Sequence, residues 1–544
     1  MANSVDPKTG FCSKTMTFHS LRPPVPLPSE SAPVSITDFI LSCLNSSPPS
    51  STAVALIDAT TRRRILYPDL ISQIKNLTAS LRTHYGLSKG DSAFIFAHNN
   101  INTPILHLSL FSIGVVISSV NPAATTPEIN HQIGLSKPVI AFASSDSVHK
   151  LPLLKYGTVI IDSVLFESLM ETQSEKKEVI KVNQSDVATI LYSSGTTGKV
   201  KGVAQSHRNW TASIASGYSK RPVGKPPTVA FCTVPLFHAY GMTYTLRFLA
   251  TGDCIVIMGG GGRFDLRKMC GVIEDYRVSH MALAPPTIVT MVRHGEVMNG
   301  YDLSSLEGIS CGGAHLSKSM IERFRKRLPK AQLSQAYGLT ETTGRVFATL
   351  GPEESRVEGA TGKLMANCEA KIVDPETGAA LPPGKPGELW VRGAFIMKGY
   401  VDNEEATAAT LDSEGWLKTG DLCYINDEGF LFFVDRIKEL IKYKGYQVAP
   451  AELEHLLNSH PDVVECAVVP FPDEEAGQVP AAFVVRQSGC NISESEIKDF
   501  VARQVSHYKR IRRVTFVGAL PKNASGKVLR KELVKLLSAP PSKL

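Results

Sequence analysis

From about Leu56 onward, short apolar runs alternate with longer stretches whose apolar positions recur at helical spacing. The runs 231–235, 254–258, 280–284 and 308–311 read as buried strands, because a strand covered on both faces is apolar at nearly every position. Helical patterns such as 317–328 lie between and after them. This alternation predicts an α/β fold with largely parallel sheets. From Glu369 the texture changes to short strands punctuated by Gly and Pro, at 370–374, 387–391 and 430–434. They predict a small β-rich subdomain over about 350–434. At Asp435-Arg436 a strand runs into a charged segment, the expected boundary between a large N-terminal domain (1–434) and a small, mobile α+β domain (435–544). In the latter, Pro450 suits the first turn of a helix over 451–457, since proline lacks the N–H that would go unpaired there. Ser493 and Glu496 form a capping box for a helix reaching Val505. The first fifty residues, rich in Pro and Ser, read as an extended arm over the surface. No internal repeat is present at a fixed period.

A chain of 544 residues implies two or three domains. With 43% hydrophobic and 20% charged residues, the disordered, collagen-like and coiled-coil classes are excluded. The longest apolar stretch, 105–120, is broken by His107, Ser109, Ser112 and Ser118. It falls short of the roughly 18 residues a membrane span needs, so it reads as buried core. The net charge of +7 comes from scattered Lys and Arg, with local clusters at 438–444 and 509–513. That pattern lacks the concentrated basic stripe of a nucleic-acid binder and favours small anionic ligands. Ten cysteines are dispersed with no CxxC pair and no metal spacing, which fits free thiols in a reducing compartment. The start, 1–11, lacks a signal-peptide pattern. Ser542-Lys543-Leu544 follows a Pro540-Pro541 break and matches the address read by the peroxisomal import receptor.

The strongest chemical signal is Ser193-Ser194-Gly195-Thr196-Thr197-Gly198-Lys199-Val200-Lys201-Gly202, a loop leaving the apolar run 187–192. Glycines let backbone bend round a polyphosphate, hydroxyls and N–H groups donate to its oxygens, and lysines offset its charge. It is not a Walker A loop, which would need Gly at 193 and Ser or Thr at 200. The glycines 259–262 do not make a dinucleotide fingerprint either, because Phe264 and Asp265 occupy the last glycine position. Gly308-Ile309-Ser310-Cys311-Gly312 matches the nucleophile-elbow pattern of serine hydrolases. A triad would then draw its histidine from His455, His460 or His507, all in the expected C-terminal domain.

Four further motifs follow in order: Gln335-Ala336-Tyr337-Gly338-Leu339-Thr340-Glu341, Gly415-Trp416-Leu417-Lys418-Thr419-Gly420-Asp421, the segment 435–450, and Pro521-Lys522-Asn523-Ala524-Ser525-Gly526-Lys527. With the phosphate loop they make the chain resemble the adenylate-forming acyl-CoA synthetases, the superfamily of coumarate–CoA ligases, fatty acyl-CoA synthetases and firefly luciferase. The resemblance runs from about residue 30 and is strongest to the plant coumarate-ligase-like branch with a peroxisomal signal. It implies an acyl-adenylate made from ATP with release of pyrophosphate, then transfer of the acyl group to coenzyme A. Ser193, Ser194, Gly195, Thr196, Thr197 and Lys201 would hold the phosphates, and Glu341 with Thr196 the Mg²⁺. Tyr337 would stack on adenine, with Ala314, Gln335, Ala336 and Thr340 nearby. Asp421 would take the ribose hydroxyls, and Arg436 the ribose and α-phosphate side. Lys527 would reach the carboxylate and α-phosphate.

The resemblance also assigns a hinge near Lys438. Rotation there would bring Lys442, Lys444, Gly445 and Gln447 in for thioester formation, while Arg263 would lie near the phosphates of coenzyme A. The segment 235–241 would line the acyl site, with His238 closing it and Tyr240, Ser310 and Gly313 beside it. Two positions depart from coumarate ligases: Ser310 replaces a lysine, and Gly344-Arg345 replaces a Pro-Val pair. A roomier or differently polar pocket follows, suited to a medium or long fatty acid, a jasmonate-precursor-like acid or a phenylpropanoid. The alternatives are a luciferase-like oxygenase of the same fold and the serine hydrolase.

Overall fold

A computed structural model of the chain describes residues 5–172, 180–193, 200–217, 226–260, 264–313, 316, 318–444, 446–522 and 527–537. Its largest sheet begins as a parallel array. In spatial order the strands are Val54–Asp58, Cys254–Ile257, Val229–Cys232, His280–Leu283, Gly308–Cys311 and Gln332–Leu339. The four apolar runs therefore form strands as expected, each buried because helices such as Ala239–Ala250 and Leu266–Asp275 cover the sheet.

At Gln332–Leu339 the sheet changes character. The first half of this strand pairs in parallel with Gly308–Cys311, Gln335 lying opposite Cys311. Its second half pairs antiparallel with Gly344–Ala348, Tyr337 opposite Phe347. Antiparallel strands then continue through Gly362–Leu364, Phe430–Arg436, Leu417–Ile425, Gly387–Gly393 and Cys368–Val373. The Gly/Pro-punctuated strands thus extend the parallel sheet in one continuous array.

The first fifty residues correct the extended-arm expectation. Phe11–Cys12 and Thr17–His19 pair, and His19 lies opposite Glu369 at the edge of the main sheet. Ile36–Ser46 is a helix whose apolar face is buried. Ser35 and Asp38 close a capping box at its N-terminus, satisfying N–H groups that the first turn leaves unpaired.

A second sheet orders Gly399–Tyr400, Lys201–Ser206, Val187–Ser193, Val116–Ser119, Ser92–Phe96, Ile140–Ala143 and Thr158–Ile160. The apolar stretch 105–120 becomes the end of the buried helix Asn102–Ser112 and the strand Val116–Ser119 of this sheet. Among the described residues, no helix is long and apolar enough to cross a membrane. The third sheet is built from Ile441–Tyr443, Tyr446–Val448, Val463–Asp473, Gly477–Arg486 and Arg513–Phe516. Against it pack Pro450–Ser459, with Pro450 in the first turn, and Glu494–Ala502, which ends three residues before Val505. All ten cysteines are free thiols, nine of them buried.

Candidate active site

In open α/β sheets, ligands bind beyond the carboxyl ends of the strands, where the strand order switches. Here the parallel array gives way at Gln335-Ala336-Tyr337. Gln335 is fixed at both ends: Thr349 Oγ1 accepts from its backbone N–H at 2.9 Å, and its side-chain amide donates to the Ala360 carbonyl at 2.9 Å. Tyr337 is buried, its ring edge-on to Phe347, and its hydroxyl donates to Asp421 Oδ2 at 2.7 Å. Asp421 lies opposite Arg436 in register, and Arg436 Nε is 3.6 Å from its other oxygen. With Asp421 only 3% exposed, burial pushes its carboxyl up, opposed by Arg436 and the Tyr337 hydrogen bond. Lys527 joins this group. Burial first, then Arg436, push its ammonium down to about 8, while Glu439 and Asp421 pull the other way.

Lys438, at the expected hinge, sits beside it. Burial, then Arg436, push Lys438 down to about 8. Arg530, on the helix following Lys527, donates to both oxygens of Glu454 at 2.8 and 2.9 Å and lies 3.3 Å from Glu439. The segment after Arg436 is therefore tied to the C-terminal helix through a buried guanidinium.

The expected phosphate loop joins two antiparallel strands. Its stem strands, Val187–Ser193 and Lys201–Ser206, are antiparallel with Ser193 opposite Lys201. A Walker A loop instead leads into a helix. Ser194, Gly195, Thr196 and Thr197 lie outside the described residues. The Lys201 ammonium stands 4.5 Å above the Tyr400 ring, and the Tyr400 hydroxyl donates to Glu341 Oε1 at 3.0 Å. Gln205 holds the Thr340 carbonyl at 2.6 Å, and the Met397 N–H holds that of Glu341 at 2.9 Å. Glu341 is 8% exposed and faces the hairpin from a short 3-10 turn. A single carboxylate fits a nucleotide-bound Mg²⁺, which takes one or two carboxylates and fills its shell with phosphate oxygens and water. Among the described residues no cluster of three His, Cys, Asp or Glu could cage a metal by itself.

At the expected acyl site, His238 caps the helix Ala239–Ala250, its Nδ1 accepting from the Tyr240 N–H at 3.3 Å. Burial holds the imidazole below its ordinary value. The Tyr240 hydroxyl donates to the Ser310 carbonyl at 2.7 Å. Gly241 is required because any Cβ there would collide with the Pro235 carbonyl. Gly313 has φ +89°, a left-handed turn that suits glycine. Arg345 lies opposite Gly338 on the strand after Glu341. Ala314 and Arg263 lie outside the described residues.

Ser310 is not on a nucleophile elbow. It sits within a strand, paired on one side with Ala282 and on the other with Ser334. His460 packs edge-on against Phe500 of the helix Glu494–Ala502, and His507 against Tyr443 of the third sheet.

Lys442 and Gln447 face each other in the hairpin of that third sheet, both exposed. The Lys442 N–H donates to Gln478 at 2.9 Å, and Lys444 pairs with Glu475. The structure thus joins Lys527 to Asp421 and Arg436, whereas Lys442 and Gln447 pair within the third sheet and Lys444 pairs with Glu475 in one of its turns. Gly445 lies outside the described residues. Sequence reasoning missed Tyr400, which links Lys201 to Glu341 through the pairing of Val203 with Tyr400, and the Glu439–Arg530–Glu454 network. Neither has a local motif. Both depend on contacts between distant segments.

The AMP-binding enzyme profile matches residues 46–401, and the AMP-binding enzyme C-terminal domain profile matches residues 452–527. The 4-coumarate–CoA ligase-like 9 protein of Arabidopsis thaliana is 47% identical over 548 residues, covering 98% of this chain and 97% of that one. The peroxisomal OPC-8:0-CoA ligase 1 of the same plant is 44% identical, covering 98% and 99%. Among solved structures, the o-succinylbenzoate CoA synthetase of Bacillus subtilis with its acyl-adenylate intermediate superposes with a TM-score of 0.77 at 28% identity, covering 91% and 97%. The same synthetase has also been solved with ATP and magnesium ion.

Proposed function

The chain belongs to the AMP-binding enzymes, as an adenylate-forming acid–thiol ligase, and from that premise we propose which residues carry each half-reaction and what acid is activated. Activation brings a carboxylate against a polyphosphate, so positive charge must offset two anions. Lys527 and Arg436 supply it at the carboxylate and α-phosphate, and Lys201 with the loop 193–202 at the β- and γ-phosphates. Asp421 accepts from the ribose hydroxyls beside the Tyr337 hydroxyl, and Tyr337 walls the adenine. Glu341 would hold Mg²⁺, which when bound neutralises phosphate charge. Tyr400 orients the Glu341 carboxylate for that task.

In the second half-reaction the thiol of coenzyme A attacks the acyl carbon and AMP leaves. Rotation about the hinge near Lys438 replaces Lys527 with Lys442, Lys444, Gly445 and Gln447, so one site runs both steps without exposing the adenylate to water. The observation that carries this reading is the meeting of Tyr337, Asp421, Arg436 and Lys527 at the sheet switch, with Lys442 and Gln447 held elsewhere. The domain boundary at 434/435 fits the same picture, because Asp435 and Arg436 precede the hinge.

The substrate is a fatty acid, a jasmonate-precursor-like acid or a phenylpropanoid. The relatives support this range, and Gly344-Arg345 argues against a strict preference for 4-coumarate. Ser542-Lys543-Leu544, outside the described residues, and the peroxisomal relative support action in peroxisomes. Pyrophosphate release measured across a panel of such acids, with and without coenzyme A, tests the proposal. Release that needs ATP and one acid class supports it, and ester cleavage without ATP would refute it.

A further inference from the structure

The expected acyl site holds more positive charge than a simple fatty acid can use. Arg247, on the helix Ala239–Ala250, and Arg345, on the strand Gly344–Ala348, converge at the C-terminus of the helix His207–Ser216. A Cβ added at Gly217 would come within 2.5 Å of Arg247 Cδ and 2.7 Å of Arg345 Nη2, so both side chains cross the same patch. Arg247 is partly compensated by the Asp253 carboxylate and by ring faces, lying 4.5 Å from the Phe248 centroid and 5.9 Å from that of Tyr244. Among the described residues, no carboxylate, carbonyl or hydroxyl is hydrogen-bonded to the Arg345 guanidinium.

A second observation points to the same place. Tyr244 is 4% exposed, and its buried hydroxyl has no hydrogen-bond partner among the described residues. Buried polar groups are normally satisfied, so an orphaned hydroxyl beside Arg247, itself beside Arg345, calls for a missing acceptor. Tyr240 connects this cluster to the acyl site. It interacts electrostatically with both arginines, and its hydroxyl donates to the Ser310 carbonyl. Burial, then Arg247, push Arg345 down to about 9, so it stays cationic at neutral pH and is held at a cost that an acceptor would relieve.

We propose that Arg345, Arg247 and the Tyr244 hydroxyl form a subsite for a second oxygen-bearing group of the acid, a carboxylate or a ketone remote from the carboxylate that is activated. This rests on the ligase reading and narrows it. The enzyme would prefer oxo-acids or dicarboxylic acids over plain fatty acids of equal length. A site built to hydrogen-bond a substrate group discriminates strongly against the analogue lacking it, because its own polar groups are then left unpaired.

The test is kcat/KM for ATP-dependent pyrophosphate release on three acids of one chain length: the plain monocarboxylic acid, its oxo derivative and its dicarboxylic derivative. At least one oxygenated acid should exceed the plain acid by roughly tenfold or more. Arg345→Met should collapse that ratio toward one, Arg345→Lys should restore part of it, and Arg247→Met should reduce it independently. The separate oxo and dicarboxylic arms tell which oxygen is bound. Pyrophosphate release without preference for either oxygenated acid, or a preference that survives both Met variants, overturns the subsite and leaves the ligase reading standing. No release with any acid overturns both.

Discussion

Replacing Lys527 by alanine should separate the two half-reactions. In the structure this ammonium sits with Arg436, Asp421 and Glu439, where burial pushes it down to about 8 from an ordinary 10.5. Holding the charge there costs roughly 3 kcal/mol, which an arriving carboxylate and α-phosphate can return as attraction. At about 1.4 kcal/mol per tenfold in rate, that predicts a loss of at least roughly 10²-fold in acyl-adenylate formation. The same variant given presynthesised acyl-adenylate and coenzyme A should form thioester at nearly the wild-type rate, because in the proposed alternation Lys527 has by then rotated away. Lys442→Ala should behave in the opposite way, since Lys442 stands exposed on its own hairpin while Lys527 lies with Arg436 and Asp421. Rapid-quench measurement of adenylate and thioester separately is the assay. If both variants slow both steps equally, the alternation between the two lysines is wrong.

Burial holds both Lys527 and the neighbouring hinge residue Lys438 down to about 8, and Lys527 must be cationic to offset phosphate charge. Their charge is lost as pH rises through that value, so kcat/KM for ATP in the adenylation step should fall above pH 8. Lys527→Arg should move the falling limb upward, and a flat profile to pH 10 would contradict the assignment. Tyr400→Phe removes the donor to Glu341, and hydrogen bonds to charged groups are worth about 1.5–3 kcal/mol. The Mg²⁺ concentration for half-maximal adenylation should rise roughly tenfold or more, and an unchanged Mg²⁺ dependence would show that Glu341 is not the metal ligand. Deleting Ser542-Lys543-Leu544 should leave activity intact and move a tagged protein from peroxisomes to the cytosol; continued import would refute the address.

The parallel core was legible because strands covered on both faces carry no polar alternation, as at Val229–Cys232 and His280–Leu283. The helix Ile36–Ser46 was hidden by the Pro and Ser around it, although Ser35 and Asp38 carry its capping signal. The hairpin that contributes Thr17–His19 to the main sheet could not be read, because its partner lies some 350 residues away at Glu369. The same contrast holds in the site. Tyr337, Asp421 and Lys527 stand in contiguous motifs that the sequence displays. Tyr400, Arg247 and Tyr244 act only through strand pairing and helix packing, and nothing in their neighbours along the chain marks them.

The most direct test of the central claim follows an oxygen atom. If the acid's carboxylate attacks the α-phosphorus and the thiol later displaces AMP, one carboxylate oxygen must leave with the phosphate. An acid labelled with ¹⁸O in its carboxylate, incubated with the enzyme, ATP, Mg²⁺ and coenzyme A, should yield AMP carrying one ¹⁸O for each thioester formed, together with unlabelled pyrophosphate. Unlabelled AMP, or ADP with labelled inorganic phosphate, would contradict the acyl-adenylate route.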